Sequence, residues 1–418
     1  MKILYLHQYF NTPAMDGGTR SYEMARRMVL EGHEVNIITT IRDYSYKSKH
    51  WLITEEAGIK VHWLPVKYSN HMSYAKRIKA FLYFALLSFR YALKIDSDIV
   101  FATSTPLTIS LPAVLISKTR RIPMVFEVRD LWPALPIAIK AIKNPIICYL
   151  SKKLECWAYN NSEAIVALSP GMKEGIIKTG YPSNKVAVIP NSSDNNLFLK
   201  NAESAKSFRR QREWLGKRPL LVYAGTLGKI NDVHYLINLA VELANIKSEV
   251  CILIVGDGSE FTNLMNAAKD TGTLNKNLFF ERPIAKSEIP GLLNAANMAT
   301  VLFLDLPEMR DNSANKFFDA LASGTPVLLN YGGWMHDLVS VHCCGLPMWG
   351  KSIKEVAKEL DIKINDDNWL QKAAWSAKNL AQQYFDRDIL AGELIDVLKL
   401  ALEGRSNQVS AIAPGLYD

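Results

Sequence analysis

Two aspartates, Asp311 and Asp319, flank a short polar run in the stretch DNSANKFFDALASGTPVLLN (311–330). Between them lie Ser313, Ala314 and Asn315, and an apolar set, Phe317, Ala320 and Leu321, follows at helical spacing. A helix beginning near Ala314 leaves the backbone amides of Ser313, Ala314 and Asn315 without intrahelical acceptors. Such amides hold a diphosphate well, because the helix dipole favours an anion there. An acid at the mouth of a nucleotide cleft can accept hydrogen bonds from ribose hydroxyls, which would be the task of Asp319. Asp311 would reach a more distal group such as a sugar hydroxyl. The plainer reading makes Asp319 a solvated acid on an ordinary helix. Paired carboxylates also serve glycoside hydrolysis, but that chemistry has no use for a phosphate-holding helix start.

Other glycine-rich stretches offer backbone to an anion. In DGGTR (Asp16–Arg20), Gly17 and Gly18 open a helical pattern and lack the Cβ atoms that would keep a phosphate away, although a simple turn uses the same residues. AGTLGK (Ala224–Lys229) follows a strand pattern and ends in Lys229, a counter-charge for phosphate. VGDGSE (Val255–Glu260) lacks the third glycine of a dinucleotide fingerprint, which argues against a nicotinamide cofactor. The cysteines, Cys148, Cys156, Cys251, Cys343 and Cys344, form no CxxC pair and show no metal-ligand spacing, so neither metal nor cofactor is expected.

The elements that must position these residues alternate. KILYLH, EVNIIT, IKVHWL, DIVFAT, PMVFEV and AIVALS read as short buried strands separated by amphipathic helical stretches, the pattern of a doubly wound parallel sheet. The alternation pauses at VAVIPNSSDNNLF (Val186–Phe198) and restarts with PLLVYAGTLGK, EVCILIVGDGSE, KNLFFERPI, MATVLFL and TPVLLN. A chain of 418 residues exceeds the size of a single core, so two Rossmann-like domains are expected. The stretch Trp369–Leu402 reads as helical, and the tail after Glu403 as loose.

Charge is uneven. Residues 1–195 hold 25 Lys and Arg against 15 Asp and Glu, whereas residues 196–418 hold 24 against 26. From Lys67 to Lys94 there are six basic residues, no acid and a dense aromatic set, and Ile137–Lys153 repeats the character. Basic helices with aromatic and leucine residues suit an anionic membrane surface, with Lys76, Arg77 and Lys79 as contacts. The plainer alternative is a pair of helices packed on a sheet with solvated lysines. No nucleic-acid recognition motif accompanies the charge, so no nucleic-acid partner is expected. No apolar run reaches the ~18 residues of a membrane span. The odd cysteine count and the strand pattern directly after Met1 fit a cytoplasmic location, peripheral on the inner face of the cell membrane.

The run DNSANKFFDALASGTPVLL resembles the donor-binding motif of the retaining GT-B glycosyltransferases of family 4 (group 1), with aspartates at both usual glutamate positions. VIPNSSDNNLF resembles that family's interdomain segment, with Ser192 where glycine is usual, and MDGGTRSYEMARRMVLEGHEVNIIT resembles its first glycine loop and helix. Together with VRDLWP (Val128–Pro133), the pattern is similar to the subgroup of colanic-acid and O-antigen transferases, including the L-fucosamine transferase of O-antigen assembly. The resemblance implies an α/β protein of two Rossmann-like domains facing a cleft. These are an acceptor-binding domain with membrane-facing basic helices over 1–195 and a nucleotide-sugar-binding domain over 196–380. A helix over 381–403 would cross back to the first domain, and 404–418 would be a loose tail.

It also implies roles. Asp319 would bind the ribose and Asp311 the donor sugar, while Ser313, Ala314 and Asn315 give backbone donors to the diphosphate or sugar. Lys229 would neutralise the leaving diphosphate beside Gly225 and Thr226, with Gly17 and Gly18 contributed by the other domain. Pro283 and Ile284, in the loop Arg282–Pro290, would meet the base. Thr226 stands where relatives often carry an arginine soon after the glycine. EVRDLWP replaces a loop that often holds a histidine, which assigns Arg129 and Asp130 to the acceptor side.

The implied activity is transfer of a hexose-type sugar, N-acetyl-L-fucosamine or a related amino sugar, with retention. The donor would be a UDP-sugar and the acceptor a polyprenyl-diphosphate-linked saccharide in O-antigen or lipopolysaccharide biosynthesis. Lys229 and the helix amides would stabilise the departing charge in place of a metal. Two alternatives stay open: a GT-B nucleotide-sugar epimerase, and a non-catalytic membrane-associated partner of polysaccharide assembly.

Overall fold

The computed structural model describes residues 1–15, 17–41, 51–66, 72, 74–140 and 142–412, the side chains of Tyr74 and Ala75 excepted. Asp16 and Lys67, named in the sequence reading, lie outside the described residues, as does 413–418 of the expected tail. The chain divides into two compact units, Met1–Pro190 with Arg387–Asp418, and Asn191–Asp386.

The first unit is built on strands β1 (Lys2–Leu6), β2 (Glu34–Thr40), β3 (Leu52–Glu56), β4 (Ile59–Leu64), β5 (Ile99–Thr103), β6 (Met124–Val128), β7 (Ala164–Ala167) and β8 (Val186–Val188). They form one sheet in the order β3-β4-β2-β1-β5-β6-β7-β8, parallel except where β3 pairs antiparallel with β4. The central strands are continuous apolar runs because helices cover both faces of the sheet. Helices Arg20–Leu30 and Arg387–Leu402 share a core with one face of the sheet. Helices Tyr74–Ala92, Ser110–Arg120, Pro145–Asn160 and Pro170–Lys178 share a core with the other.

In the second unit β9 (Leu220–Ala224), β10 (Cys251–Val255), β11 (Leu278–Glu281), β12 (Met298–Val301), β13 (Val327–Leu329) and β14 (Gly345–Pro347) form a wholly parallel sheet, ordered β11-β10-β9-β12-β13-β14. In both sheets the strand order reverses once, beside β1 and β5 in the first and beside β9 and β12 in the second. Loops at the carboxyl ends of strands flanking such a reversal open a crevice where ligands bind.

Several details depart from the sequence reading. β3, β8 and β14 were not expected; they are short edge strands, and VAVIP carries β8 where a turn-rich pause was read. The units divide between Pro190 and Asn191, inside the segment Val186–Phe198 where the alternation pauses and a few residues before the expected bound of 195, and Asn191, Ser193 and Asn195 bond to Ser313, Asp319 and Asp386 of the second unit. The helical stretch at the end is two helices, Asp367–Tyr384 in the second unit and Arg387–Leu402 in the first. Between them the buried ring of Phe385 turns onto Phe318 and Trp334. The segment after Glu403 is not loose as far as it is described: Ser406–Ala411 forms a 3-10 turn with Val409 buried in the core and Ser406 bonded to Glu163. The stretch Ile137–Lys153 is interrupted, since Asn144 caps a new helix and Pro145 starts it.

Candidate functional site

The loop after β9 and the loop after β10 lie flush. Gly225 N donates to the Val255 carbonyl at 3.0 Å, Leu227 N to the Asp257 carbonyl at 2.9 Å, and Glu260 N to the Leu227 carbonyl at 2.9 Å. A Cβ on Gly256 would sit 2.0 Å from the Gly225 oxygen, and one on Gly258 would sit 2.4 Å from the Leu227 oxygen. The two glycines of VGDG therefore permit one loop to hydrogen-bond to another, which accounts for them without a dinucleotide. Thr226 and Lys229 stand exposed on the loop so held, and Lys229 opens a 3-10 turn.

After β12 the chain runs through Pro307–Met309 to Asp311, half-buried, and then into the helix Asn315–Ala322. That helix starts as the sequence predicts, and Ala314 at its N-cap supplies no side-chain acceptor. Its first amides are thus left for something else to satisfy. Phe317, Phe318, Ala320 and Leu321 are fully buried and fix the helix to the sheet. Asp319 is half-buried and accepts a hydrogen bond from Ser193 Oγ at 2.8 Å. Ser313 Oγ accepts from Asn191 N at 3.0 Å, and its carbonyl accepts from the Asn191 side chain. The segment PNSSDNN thus holds Ser313 and Asp319 in place.

Lys316, second in that helix, donates from Nζ to Tyr223 Oη at 2.9 Å and lies 4.0 Å from the centroid of the same ring. Burial pushes its ammonium down to about 7. Pro283 and Ile284 follow β11 in a loop whose Arg282 pairs with Asp257 at 3.0 Å. The parallel sheet places all of these groups at the carboxyl ends of β9, β11 and β12, with the β9 and β12 groups at the reversal of strand order.

The remaining assigned residues belong to the first unit. Gly17 has φ 117°, and a Cβ there would meet Asn11 Nδ2 at 2.7 Å, while Asn11 donates to the Gly18 carbonyl at 3.2 Å. Both glycines are exposed and lead into the helix at Arg20. Arg129 N donates to Ser104 Oγ at 2.8 Å. Burial pushes the Asp130 carboxyl up to about 6, against the opposing pull of Arg129. Lys76 and Lys79 are exposed, whereas Arg77 is half-buried and donates to the Met72 carbonyl at 3.0 Å. On the same helix Ile78, Leu82, Tyr83 and Leu86 face solvent, as do Ile146, Tyr149 and Leu150 on the helix Pro145–Asn160. Among the described residues no helix is long and apolar enough to cross a membrane, and no group of three His, Cys, Asp or Glu could hold a metal.

The sequence reading missed Ser193, Tyr223 and Lys316, and in the first unit the ion pair of Arg20 with Glu127. Arg20 Nε is 2.9 Å from Glu127, which also accepts from Thr103 Oγ1 at 2.6 Å. The same guanidinium donates to the carbonyls of Ile189 and Pro190. Desolvation disfavours the Glu127 carboxylate, yet Arg20, Arg129 and Thr103 together keep it below its ordinary range. Both residues sit inside stretches already quoted, DGGTR and EVRDLWP, but nothing in the sequence shows that they meet.

Comparison with known proteins gives a family for each unit. Residues 17–192 match the glycosyl transferase 4-like domain, and residues 204–380 match the glycosyl transferases group 1 domain. An uncharacterized glycosyltransferase of Methanocaldococcus jannaschii is 21% identical over 242 residues, 57% of this chain and 60% of that protein. The chain therefore spans about three fifths of that relative's length. The putative colanic acid biosynthesis glycosyl transferase WcaI of Escherichia coli is 23% identical over 295 residues, 67% of this chain and 71% of WcaI. Among solved structures, Anabaena HepE in complex with UDP superimposes with a TM-score of 0.70 at 18% identity, covering 96% of this chain and 100% of HepE. The two parallel-sheet domains are those of the GT-B fold.

Proposed function

From the match of residues 17–192 to the glycosyl transferase 4-like domain and of residues 204–380 to the group 1 domain, we propose that the chain is a glycosyltransferase, transferring a sugar with retention from a UDP-sugar to a polyprenyl-diphosphate-linked saccharide. The sugar is N-acetyl-L-fucosamine or a related amino sugar, and the product belongs to O-antigen or another surface polysaccharide. One observation carries the donor half of the reading. An uncapped helix start flanked by Asp311 and Asp319 stands at the strand-order reversal beside the loop Gly225–Lys229. Free amides and a lysine at such a point suit a nucleoside diphosphate. The UDP and UDP-glucose complexes of HepE support uridine as the nucleoside, and WcaI supports surface polysaccharide as the setting.

In the proposed chemistry the bond between the anomeric carbon and the diphosphate oxygen breaks as the acceptor hydroxyl oxygen bonds to that carbon, and the hydroxyl proton passes to an oxygen of the departing diphosphate. Negative charge grows on the diphosphate, and Lys229 with the amides of Ser313, Ala314 and Asn315 stabilises it. Loss of one such donor lowers the rate on the order of a hundredfold or more. Asp319 receives the ribose hydroxyls and Asp311 the sugar; Pro283 and Ile284 meet the base. Gly17, Gly18, Arg129 and Asp130 serve the transfer from the first unit. No metal or cofactor takes part in this scheme.

The acceptor half rests on the first unit's surface. Ile78, Leu82, Tyr83 and Leu86 beside Lys76 and Lys79 suit the cytoplasmic face of an anionic membrane, where the lipid-linked acceptor resides. The test of the whole is a panel of nucleotide sugars followed by thermal shift and by transfer to a lipid-linked acceptor, for wild type and Asp319→Ala. UDP-sugars should stabilise the wild type and fail to stabilise the variant, with a new glycosidic bond formed only by the wild type. Stabilisation by NAD, or by no nucleotide, overturns the reading.

A further inference from the structure

Lys316 has an environment that a solvated or a merely structural lysine would not have. Its Nζ lies over the Tyr223 ring and bonds to that phenol, and both partners are neutral. Among the described residues no carboxylate makes an ion pair with it. Its ammonium also presses on the Gly225 loop: a Cβ built on Gly225 would lie 2.8 Å from Nζ and 3.1 Å from Cε. The bare α-carbon of Gly225, held at φ 156°, is what admits the ammonium. Tyr223 Oη in turn donates to the Thr226 carbonyl at 2.7 Å, so phenol, loop and lysine form one connected set.

A cation desolvated beside an aromatic ring gains something from the ring, but its charge is not neutralised. An apolar residue of the same length would fill the space without the desolvation penalty. The arrangement therefore suits an anion at the Gly225–Lys229 loop. We propose that Lys316 is a second phosphate-binding cation of the donor site, meeting the diphosphate from the helix side while Lys229 meets it from the loop side. This rests on the donor reading above and adds to it a residue and a coupled proton. In the free protein burial holds the ammonium down to about 7, and the titratable group facing it is Tyr223, whose phenol burial pushes up. An approaching diphosphate restores the preference for the charged form, so binding above neutral pH takes up a proton.

Titration calorimetry of the full chain with UDP, GDP, ADP and uridine, at pH 8 in two buffers of different ionisation enthalpy, tests this. Wild type should bind a nucleoside diphosphate with net proton uptake. Lys316→Met should weaken that binding on the order of ten- to a hundredfold, leave uridine unchanged and abolish the uptake. Lys316→Arg, which keeps the charge, should retain most of the affinity. Equal loss for UDP and uridine, undiminished UDP affinity in Lys316→Met, or wild-type binding without proton uptake would each overturn the assignment while leaving the donor reading intact. A wild type that binds none of the diphosphates overturns both. The uptake measurement needs no variant, so a poorly folding Lys316→Met does not remove the test.

Discussion

At the level of single residues, the buried ammonium of Lys316 has a consequence for the free protein as well as for binding. Its folded-state value of about 7 lies below the ordinary 10.5, so between those values the unfolded chain binds more protons than the folded one. Unfolding free energy contributed by this group therefore rises with pH across that window, and its penalty is greatest below about 7. Lys316→Met should raise the melting temperature at pH 7 by a few degrees, on the order of 1 kcal/mol, and flatten the rise in stability towards pH 10. Melting curves at pH 6, 7, 8, 9 and 10 check this, and a lower melting temperature at pH 7 would contradict it. Asp130 has the opposite sign: its value of about 6 lies above the ordinary 3.8, so its contribution falls as pH rises through that interval, and Asp130→Asn should remove that fall. The helix start that Asp311 precedes and Asp319 follows was legible in the sequence, because a polar run backed by apolar residues at helical spacing already speaks of one. Lys316 was not. A lone lysine in a helix reads as solvated, and only the fold brings Tyr223 beneath it.

Elements explain why some glycines matter and others were misread. Two glycines in VGDG suggested an incomplete dinucleotide turn, whereas they lie against the backbone of the neighbouring loop. Gly258→Ala should destabilise the protein by about 2 kcal/mol or more in urea unfolding, since its Cβ would strike the Leu227 carbonyl and φ is 159°. It should also loosen the loop that carries Thr226 and Lys229. The central strands were readable from their continuous apolar runs, but β3, β8 and β14 were not: β3 is the largely solvent-facing LITEE, β8 is three residues leading into a turn-rich segment, and β14 is only Gly-Leu-Pro. The helix Tyr74–Ala92 was readable as basic and aromatic; which of its apolar residues face out was not. Phe84 and Ala85 are buried while Leu82 and Leu86 are exposed. Leu82→Gln with Leu86→Gln should weaken sedimentation with anionic vesicles about tenfold or more without changing the melting temperature or the affinity for UDP. Unchanged vesicle binding would remove the membrane reading of this helix.

For the whole molecule, the unusual feature is that the first unit is not continuous in sequence. Leu390, Leu394 and Leu398 of the helix Arg387–Leu402 enter the same core as Ile3, Tyr5 and Met24. A charged cluster reinforces the join, with Arg27 bonding to Glu23 at 2.9 Å and to Asp388 at 2.5 Å. The second unit, Asn191–Asp386, is unbroken. A fragment of those residues should fold alone and bind a nucleoside diphosphate. A chain ended after Asp386 should keep a folded second unit while its first unit loses cooperative melting, which calorimetry would resolve as the loss of one transition.

The returning helix also sets an order in time. Ribosomes extend a chain by about 5–20 residues per second, so the roughly two hundred residues between Pro190 and the final helix occupy about 10–40 seconds. Throughout that interval the first unit's sheet has on one of its faces the helix Arg20–Leu30 but not yet Arg387–Leu402, while the second unit can already complete itself. The portion synthesised first is thus the portion finished last.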